Sequence, residues 1–283
     1  MYYLLSLASA VVYGAADFLG GLTARRASTV VVVAVSQAAG LVLLAVALPL
    51  LPDASPVKSD WWWGAAAGLT GGIGVALLYR ALAVGTMAVV APVTAVCAVA
   101  IPVLAAIVLG ERPGARVSAG ILMAIGAIVL VSQQDTTPDK GVVTSDRRSG
   151  LGLALAAGVA VGLFFLSLAR TSADAGLWPM LVARAISVSL FAAIAVATRQ
   201  SMRLTPPTAA LVLFGGALDM LANVLYLLAT RLGPLSVVVT LSSLYPASTV
   251  LLARLVLGER LSGRQAIGIV FALAAILLIV GAG

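Results

Sequence analysis

Apolar residues arrive in long runs, and polar residues mark the gaps between them. The runs lie near 2–22, 30–51, 62–84, 87–109, 115–132, 150–170, 176–198, 207–230, 235–257 and 263–282. A helix needs roughly 17–25 mostly apolar residues to cross the hydrocarbon layer of a bilayer. In lipid every backbone N–H and C=O must be paired internally, so a run of that length reads as a helix. The pattern predicts an all-α membrane protein of about ten transmembrane helices. Connections are short except for Gln133–Ser149, which holds Asp135, Pro138, Asp139, Lys140, Asp146, Arg147 and Arg148. This polar linker, 133–149, separates a first five-helix unit at 1–132 from a second at 150–283. The first run starts at Met1-Tyr2-Tyr3-Leu4 with no Lys or Arg ahead of it and is long enough to span. It is expected to be a retained helix rather than a cleaved signal.

The two units are related. Leu109-Gly110-Glu111-Arg112 recurs 148 residues later as Leu257-Gly258-Glu259-Arg260. The same step takes Gly14 to Gly162, Gly68 to Gly216, Gly85 to Gly233 and Gly120 to Gly268. Aligned glycines along most of the repeat point to duplication of one structural unit. An odd number of helices per unit makes the second copy enter from the opposite side, which gives two inverted five-helix repeats.

Composition agrees and narrows the function classes. Hydrophobic residues make up 62% of the chain and charged residues 10%, against roughly 25% charged in soluble domains. The net charge of +7 comes from Arg and Lys scattered singly between apolar runs, which is not the basic patch of a nucleic-acid binder. The two lysines, Lys58 and Lys140, supply no Walker loop. No histidine is present, and Cys97 is the single cysteine, so intrachain disulfides and His-based metal or catalytic sites are absent. The sequence gives no reason to expect a cofactor.

An ionisable side chain inside the bilayer is costly and seeks a partner, water or a function. Asp219 falls in the middle of the eighth run, with Asn223, Tyr226 and Thr230 on the same helical face. That stripe is either an interhelical hydrogen-bond ladder or a cavity wall. Asp17 shares a face of the first helix with Ser6, Ser9 and Tyr13, and either pairs with Arg25 and Arg26 or faces a cavity. Arg184, with Ser187 one turn later, either locks to Asp17 or Asp219 or clamps a substrate carboxylate, whose geometry its fork matches. The third helix carries Gly64, Gly68, Gly71 and Gly72, with Tyr79 further along, and the repeat matches Gly71 to Asp219. These glycines are close-packing sites or bare backbone beside a solute. The ninth run places Ser236, Thr240 and Ser243 on one face before Tyr245-Pro246, and its repeat partner carries Pro92, Thr94 and Pro102, which mark kinks. Glu111 and Glu259 sit in surface turns beside Arg112 and Arg260 and are expected to pair with them. Trp61-Trp62-Trp63 marks a membrane interface.

Two five-helix repeats, each with a Leu-Gly-Glu-Arg turn between its fourth and fifth helices, resemble the ten-helix EamA-type branch of the drug/metabolite transporter superfamily. The first helix, Tyr13-Gly14-Ala15-Ala16-Asp17-Phe18-Leu19-Gly20-Gly21, is also similar to that group. The resemblance implies alternating-access transport of amino acids, related metabolites or drugs, with hydrophobic or aromatic amino acids as the best substrate class. It implies neither ATP nor a metal. The candidate substrate cavity is Tyr13, Asp17, Tyr79, Arg184, Asp219, Asn223, Tyr226, Thr240, Ser243 and Tyr245. The expected partners are a small-molecule substrate, the lipid bilayer and, if transport is coupled, protons bound at Asp17 or Asp219. The chain would act as a monomer or homodimer. A channel, a non-transporting scaffold and an intramembrane enzyme are the alternatives. The enzyme would require Asp17 and Asp219 at hydrogen-bonding distance.

The expected location is a bacterial-type inner membrane, with both termini on one side. The resemblance puts them in the cytoplasm. The positive-inside rule opposes this. With cytoplasmic termini, Lys58, Arg112, Arg116, Arg170 and Arg231 lie inside. Arg25, Arg26, Lys140, Arg147, Arg148, Arg199, Arg203, Arg260 and Arg264 lie outside.

Overall fold

The computed structural model describes residues 1–24, 26–84, 87–132, 146–257 and 262–281. Arg25, Gly85, the linker from 133 to 145 and Gly258-Glu259-Arg260 lie outside the described residues, as do the side chains of Tyr79 and Pro92. Among the described residues the regular structure is entirely helical: α1 (Tyr2–Ala24), α2 (Thr29–Ala47), α3 (Lys58–Val84), α4 (Met87–Val108), α5 (Ala115–Ser132), α6 (Asp146–Ala169), α7 (Trp178–Ala197), α8 (Pro206–Thr230), α9 (Leu235–Ser242), α10 (Tyr245–Leu257) and α11 (Gly263–Val280). Eight segments are long and apolar enough to cross a membrane. Two shorter apolar helices, Val93–Val108 and Ala115–Val131, accompany them.

Two boundaries depart from the sequence pattern. The helix α6 starts at Asp146, inside the expected linker. The run 235–257 is not one helix but two, α9 and α10, interrupted at Ser243 and Leu244. Pro246 lacks the N–H that would bond to the Ser242 carbonyl, so the helical ladder cannot run unbroken through this point. The chain therefore breaks there and restarts at Tyr245.

Among the described residues, short connections between α2 and α3, α4 and α5, α6 and α7, α7 and α8, and α8 and α9 turn the chain back. One end of the bundle collects the N-terminus and the α2–α3, α4–α5, α6–α7 and α8–α9 connections. Contacts tie this end together: Ser55 N–H donates to the Asp174 carbonyl at 2.8 Å, and the Tyr2 ring lies against Gly233. It is called here the terminal end. The opposite end carries the α7–α8 turn, the C-terminus of α5 and the N-termini of α6 and α11, and is called the linker end. At the terminal end Trp62 is exposed, Trp61 meets Trp178 with ring centroids 6.0 Å apart, and Arg170 lies 5.8 Å from the Trp63 ring.

The matched glycines show how the repeats fit. A Cβ built on Gly68 would come within 2.5 Å of the Ala183 carbonyl, and one on Gly216 within 2.2 Å of the Ser36 carbonyl. One on Gly14 would meet Ser248 and Thr249, and one on Gly162 would meet Ile101. Gly120 packs on Ile279, and Gly268 on Val131. Each glycine pair, and the residues it touches, are related by the 148-residue step to within one position. A single pseudo-two-fold operation therefore relates the contacts, and only a bare Cα allows these backbones to approach so closely.

Every one of these contacts joins one repeat to the other. The strongest packing is of α3 on α6 and α7, α4 on α6, α8 on α1 and α2, α10 on α1, and α5 on α11, with α2 on α7 as the strongest packing between the two groups. The molecule thus consists of two mixed bundles. One contains α3, α4, α6 and α7; its pseudo-symmetric mate contains α8, α9, α10, α1 and α2.

Candidate functional site

The charged groups buried by α7 and α8 meet halfway along the bundle. The Arg184 guanidinium pairs with the Asp219 carboxylate through Nη2 and donates to Gln37 Oε1 through Nη1. Gln37 Oε1 also accepts from Ser187 Oγ at 3.2 Å. On the other flank, Asn223 Nδ2 donates to the Asp219 carbonyl at 2.7 Å and lies 3.5 Å from its carboxylate. The Tyr13 hydroxyl donates to Asn223 Oδ1 at 2.8 Å. One polar chain thus runs Tyr13–Asn223–Asp219–Arg184–Gln37–Ser187 and links α1, α8, α7 and α2. It crosses between the two mixed bundles at the Arg184–Asp219 pair, the single ion pair among the described residues, and again where Arg184 and Ser187 meet Gln37.

This network borders a cavity with two lobes. The outer lobe, about 410 Å³, is walled by Asp17, Gly20 and Gly21 of α1, Ser36 and Gln37 of α2, Leu211 to Asp219 of α8 and Tyr245 to Val250 of α10. Thr94, Val131 and Gln265 complete it. These positions fall at mid-bundle or in its linker-end half, so the lobe opens toward that end. The inner lobe, about 190 Å³, lies deeper, among Tyr13, Gly71, Phe164, Phe165, Met180, Arg184 and Asn223. The lobes share Asp17, Gln37, Val75, Leu78, Asp219 and Tyr245. Their combined scale is that of a small-molecule site.

Toward the terminal end the path is closed by contacts between the bundles. The Tyr226 hydroxyl donates to the Phe165 carbonyl at 3.1 Å, and the two rings lie tilted at 54° with centroids 4.9 Å apart. Arg231 Nη2 donates to the Gly176 carbonyl. The Glu111 carboxylate, in the α4–α5 turn, accepts from Leu235 N–H at 2.6 Å, Ser236 N–H at 3.1 Å and Ser236 Oγ at 2.6 Å. Glu111 therefore does not hold a turn with Arg112, as its sequence neighbour suggested, but caps the N-terminus of α9. The first N–H groups of a helix have no partner inside it and carry partial positive charge, which a carboxylate satisfies. On the linker side of the ion pair, among the described residues, the hydrogen bonds that cross from one mixed bundle to the other are those of Gln37 with Arg184 and Ser187.

Of the residues the sequence singled out, Tyr13, Asp17, Arg184, Asp219, Asn223 and Tyr245 line the cavity. Tyr226 is fully buried beneath it. Thr240 and Ser243 are buried in and after α9, away from the lining; Thr240 Oγ1 bonds the Ser236 carbonyl at 2.7 Å. Asp17 is exposed to the cavity rather than paired with Arg26, and no hydrogen bond joins it to Asp219. Gly64 and Gly68 prove to be packing contacts against α7, whereas Gly71 lines the inner lobe beneath Phe164. Sequence reasoning missed Gln37, whose only signal is an amide alone in an apolar run. It also missed Phe164, Phe165 and Met180, which carry no signal that separates a cavity wall from a lipid face. No group of three or more His, Cys, Asp or Glu side chains suited to a metal occurs among the described residues.

No curated protein matches the chain. A solved crystal structure aligns with a TM-score of 0.80 at 18% identity, covering 98% of this chain and 95% of the other, which establishes a shared fold. The EamA-like transporter family model matches residues 1–133 and 148–281. With nearly the whole chain accounted for by those two matches, this multi-pass membrane protein belongs to the EamA-like transporter family.

Proposed function

We propose that the protein is a secondary carrier of small organic solutes, with hydrophobic or aromatic amino acids or drugs as its substrates, working by alternating access. The observation that carries this reading is a cavity open at the linker end, floored by the Arg184–Asp219 network and sealed toward the terminal end. One end open and the other closed is the arrangement a carrier holds at one point of its cycle. Substrate contacts are assigned to Tyr13, Asp17, Arg184, Asp219, Asn223 and Tyr245. Tyr226 supports the floor, Thr240 stabilises α9 through its bond to the Ser236 carbonyl, and Ser243 lies at the break that follows.

The packing favours rocking of the two mixed bundles, because repeat-on-repeat motion would tear the glycine contacts that join the repeats. The ion pair that crosses between the bundles supplies the coupling. A substrate group that competes for either partner of the pair, an ammonium at Asp219 or a carboxylate at Arg184, would loosen the bundles from each other. The location assigned is a bacterial-type inner membrane with cytoplasmic termini, so the cavity opens outward.

The test is flux in proteoliposomes. Wild-type protein is expected to give saturable uptake of phenylalanine with counterflow. Arg184→Ala and Asp219→Asn are expected to insert normally and to lose most of it. Linear, non-saturating flux would favour a channel, and wild-type rates in both variants would remove these residues from the mechanism.

A further inference from the structure

We propose that the cavity selects its substrate by a positively charged amino group received at Asp17, and that a substrate carboxylate is dispensable. The proposal rests on the central cavity being the substrate site. It follows from the charges of the described lining residues, which are Asp17, Asp219 and Arg184. Arg184 is already committed, one arm to Asp219 and the other to Gln37. Asp17 has neither an ion pair nor a hydrogen bond among the described residues. The groups that face the same space are Asp219 from α8, Gln37 from α2, Tyr13 from its own helix and Tyr245 from α10. Arg184, which lines the inner lobe with Asp17, is the one cation among the described lining residues, and it is held by Asp219 and Gln37. The described lining therefore carries one negative charge in excess, and in a membrane interior such a charge calls for a compensating one.

The surroundings of Asp17 fit an ammonium rather than a metal ion. Both lobes include Tyr245, and the inner lobe adds Tyr13, whose ring centroid is 6.1 Å from that of Tyr245 and 6.2 Å from that of Phe165. A carboxylate beside aromatic rings holds an alkylammonium by a charge-assisted hydrogen bond and cation–π attraction. The inner lobe of about 190 Å³ suits one aromatic ring, since a cavity of roughly 150 Å³ accepts benzene. An anionic ligand would meet two carboxylates and a guanidinium already shared. A zwitterion is tolerated because its carboxylate can exchange with Asp219 at Arg184.

Three probes share a phenyl ring and differ in charge: 2-phenylethylamine, phenylalanine and 3-phenylpropionate. Their binding to the purified full-length protein is measured by calorimetry at neutral pH, and their uptake into proteoliposomes is measured separately. The amine and phenylalanine are expected to bind, and 3-phenylpropionate to bind about tenfold or more weakly than the amine. Asp17→Asn is expected to weaken the amine by a similar factor, and Asp17→Glu, which keeps the charge, to restore much of it. Equal binding of anion and amine overturns the proposal, as does no binding of the amine or an Asp17→Asn variant that holds it normally. If Asp17→Asn fails to fold, the comparison of probes on the wild-type protein still decides. Saturable uptake without preference for the amine would overturn this inference and leave the carrier reading standing. Amine binding dependent on Asp17, with no uptake of any probe, would do the reverse.

Discussion

Arg184 and Asp219 are unequal partners. The arginine side chain is 8% exposed and the aspartate 28%, because the carboxylate looks into the cavity while the guanidinium is enclosed by α2, α7 and α8. Removing one member of a buried pair strands the charge of the other, and the cost grows with burial of what remains. Asp219→Asn should therefore lower the melting temperature more than Arg184→Gln, since the first strands a buried cation and the second leaves a carboxylate that cavity water can reach. Thermal unfolding in a mild detergent checks the order, and equal or reversed losses would contradict the assigned exposures. The double variant should be less damaged than the sum of the singles, with a coupling of about 0.5–3 kcal/mol for groups in one network. Gln37 enters the same arithmetic. Its Oε1 receives both Arg184 and Ser187, so Gln37→Leu should weaken the Arg184 contact while leaving the ion pair in place.

Between elements, contact distance decides what a substitution does. An added methyl at Gly216 would collide with a backbone carbonyl of α2, which cannot swing aside. Gly216→Ala should destabilise by about 1–3 kcal/mol or more, the scale of overpacking a filled interior. Gly152, inside α6, has nothing within 4 Å of a built Cβ, and Gly152→Ala should be neutral or stabilising, since alanine favours helix by up to ~1 kcal/mol. Thermal shifts of the two variants in opposite directions would bear this out. The cap on α9 gives a second prediction. Glu111→Ala leaves the N–H groups of Leu235 and Ser236 without their acceptor, so amide exchange in α9 should rise while α11 is unchanged. Hydrogen exchange read by mass spectrometry tests it, and unaltered α9 protection would show the cap to be dispensable. These elements also mark what the sequence can convey. Asp17, Arg184 and Asp219 were legible because charge in an apolar run is expensive wherever the helix goes. The partner of Glu111 was not, because α9 is 124 residues away along the chain and only the fold brings it near. The break before Tyr245 was half legible: Pro246 announced a kink, but a proline tolerated in a bent helix and one that ends a helix look the same in sequence.

At the scale of the whole molecule, the duplication was readable from glycines and a repeated turn, but the way the two copies interlock was not. Periodicity reports which face of a helix is packed, and says nothing about which repeat supplies the packing. Here Gly14, Gly68 and Gly120 each lie against a helix of the other copy, so the units that hold together are the mixed bundles. This makes a sharp prediction. Trp61 and Trp178 face each other across α3 and α7, which belong to different repeats but to the same bundle. Glu111 and Ser236 also join different repeats, but they bridge the two bundles. In a background with Cys97 replaced, cysteine pairs at 61 and 178 and at 111 and 236 can each be linked with a short bismaleimide. If the repeats move against each other, both links should stop transport. If the bundles move, the link between 111 and 236 should hold the terminal end shut and abolish flux, while the link between 61 and 178 should leave most of it. Comparable flux in both linked proteins, or loss in both, would reject bundle motion, because only a motion that keeps α3 and α7 together treats the two links differently.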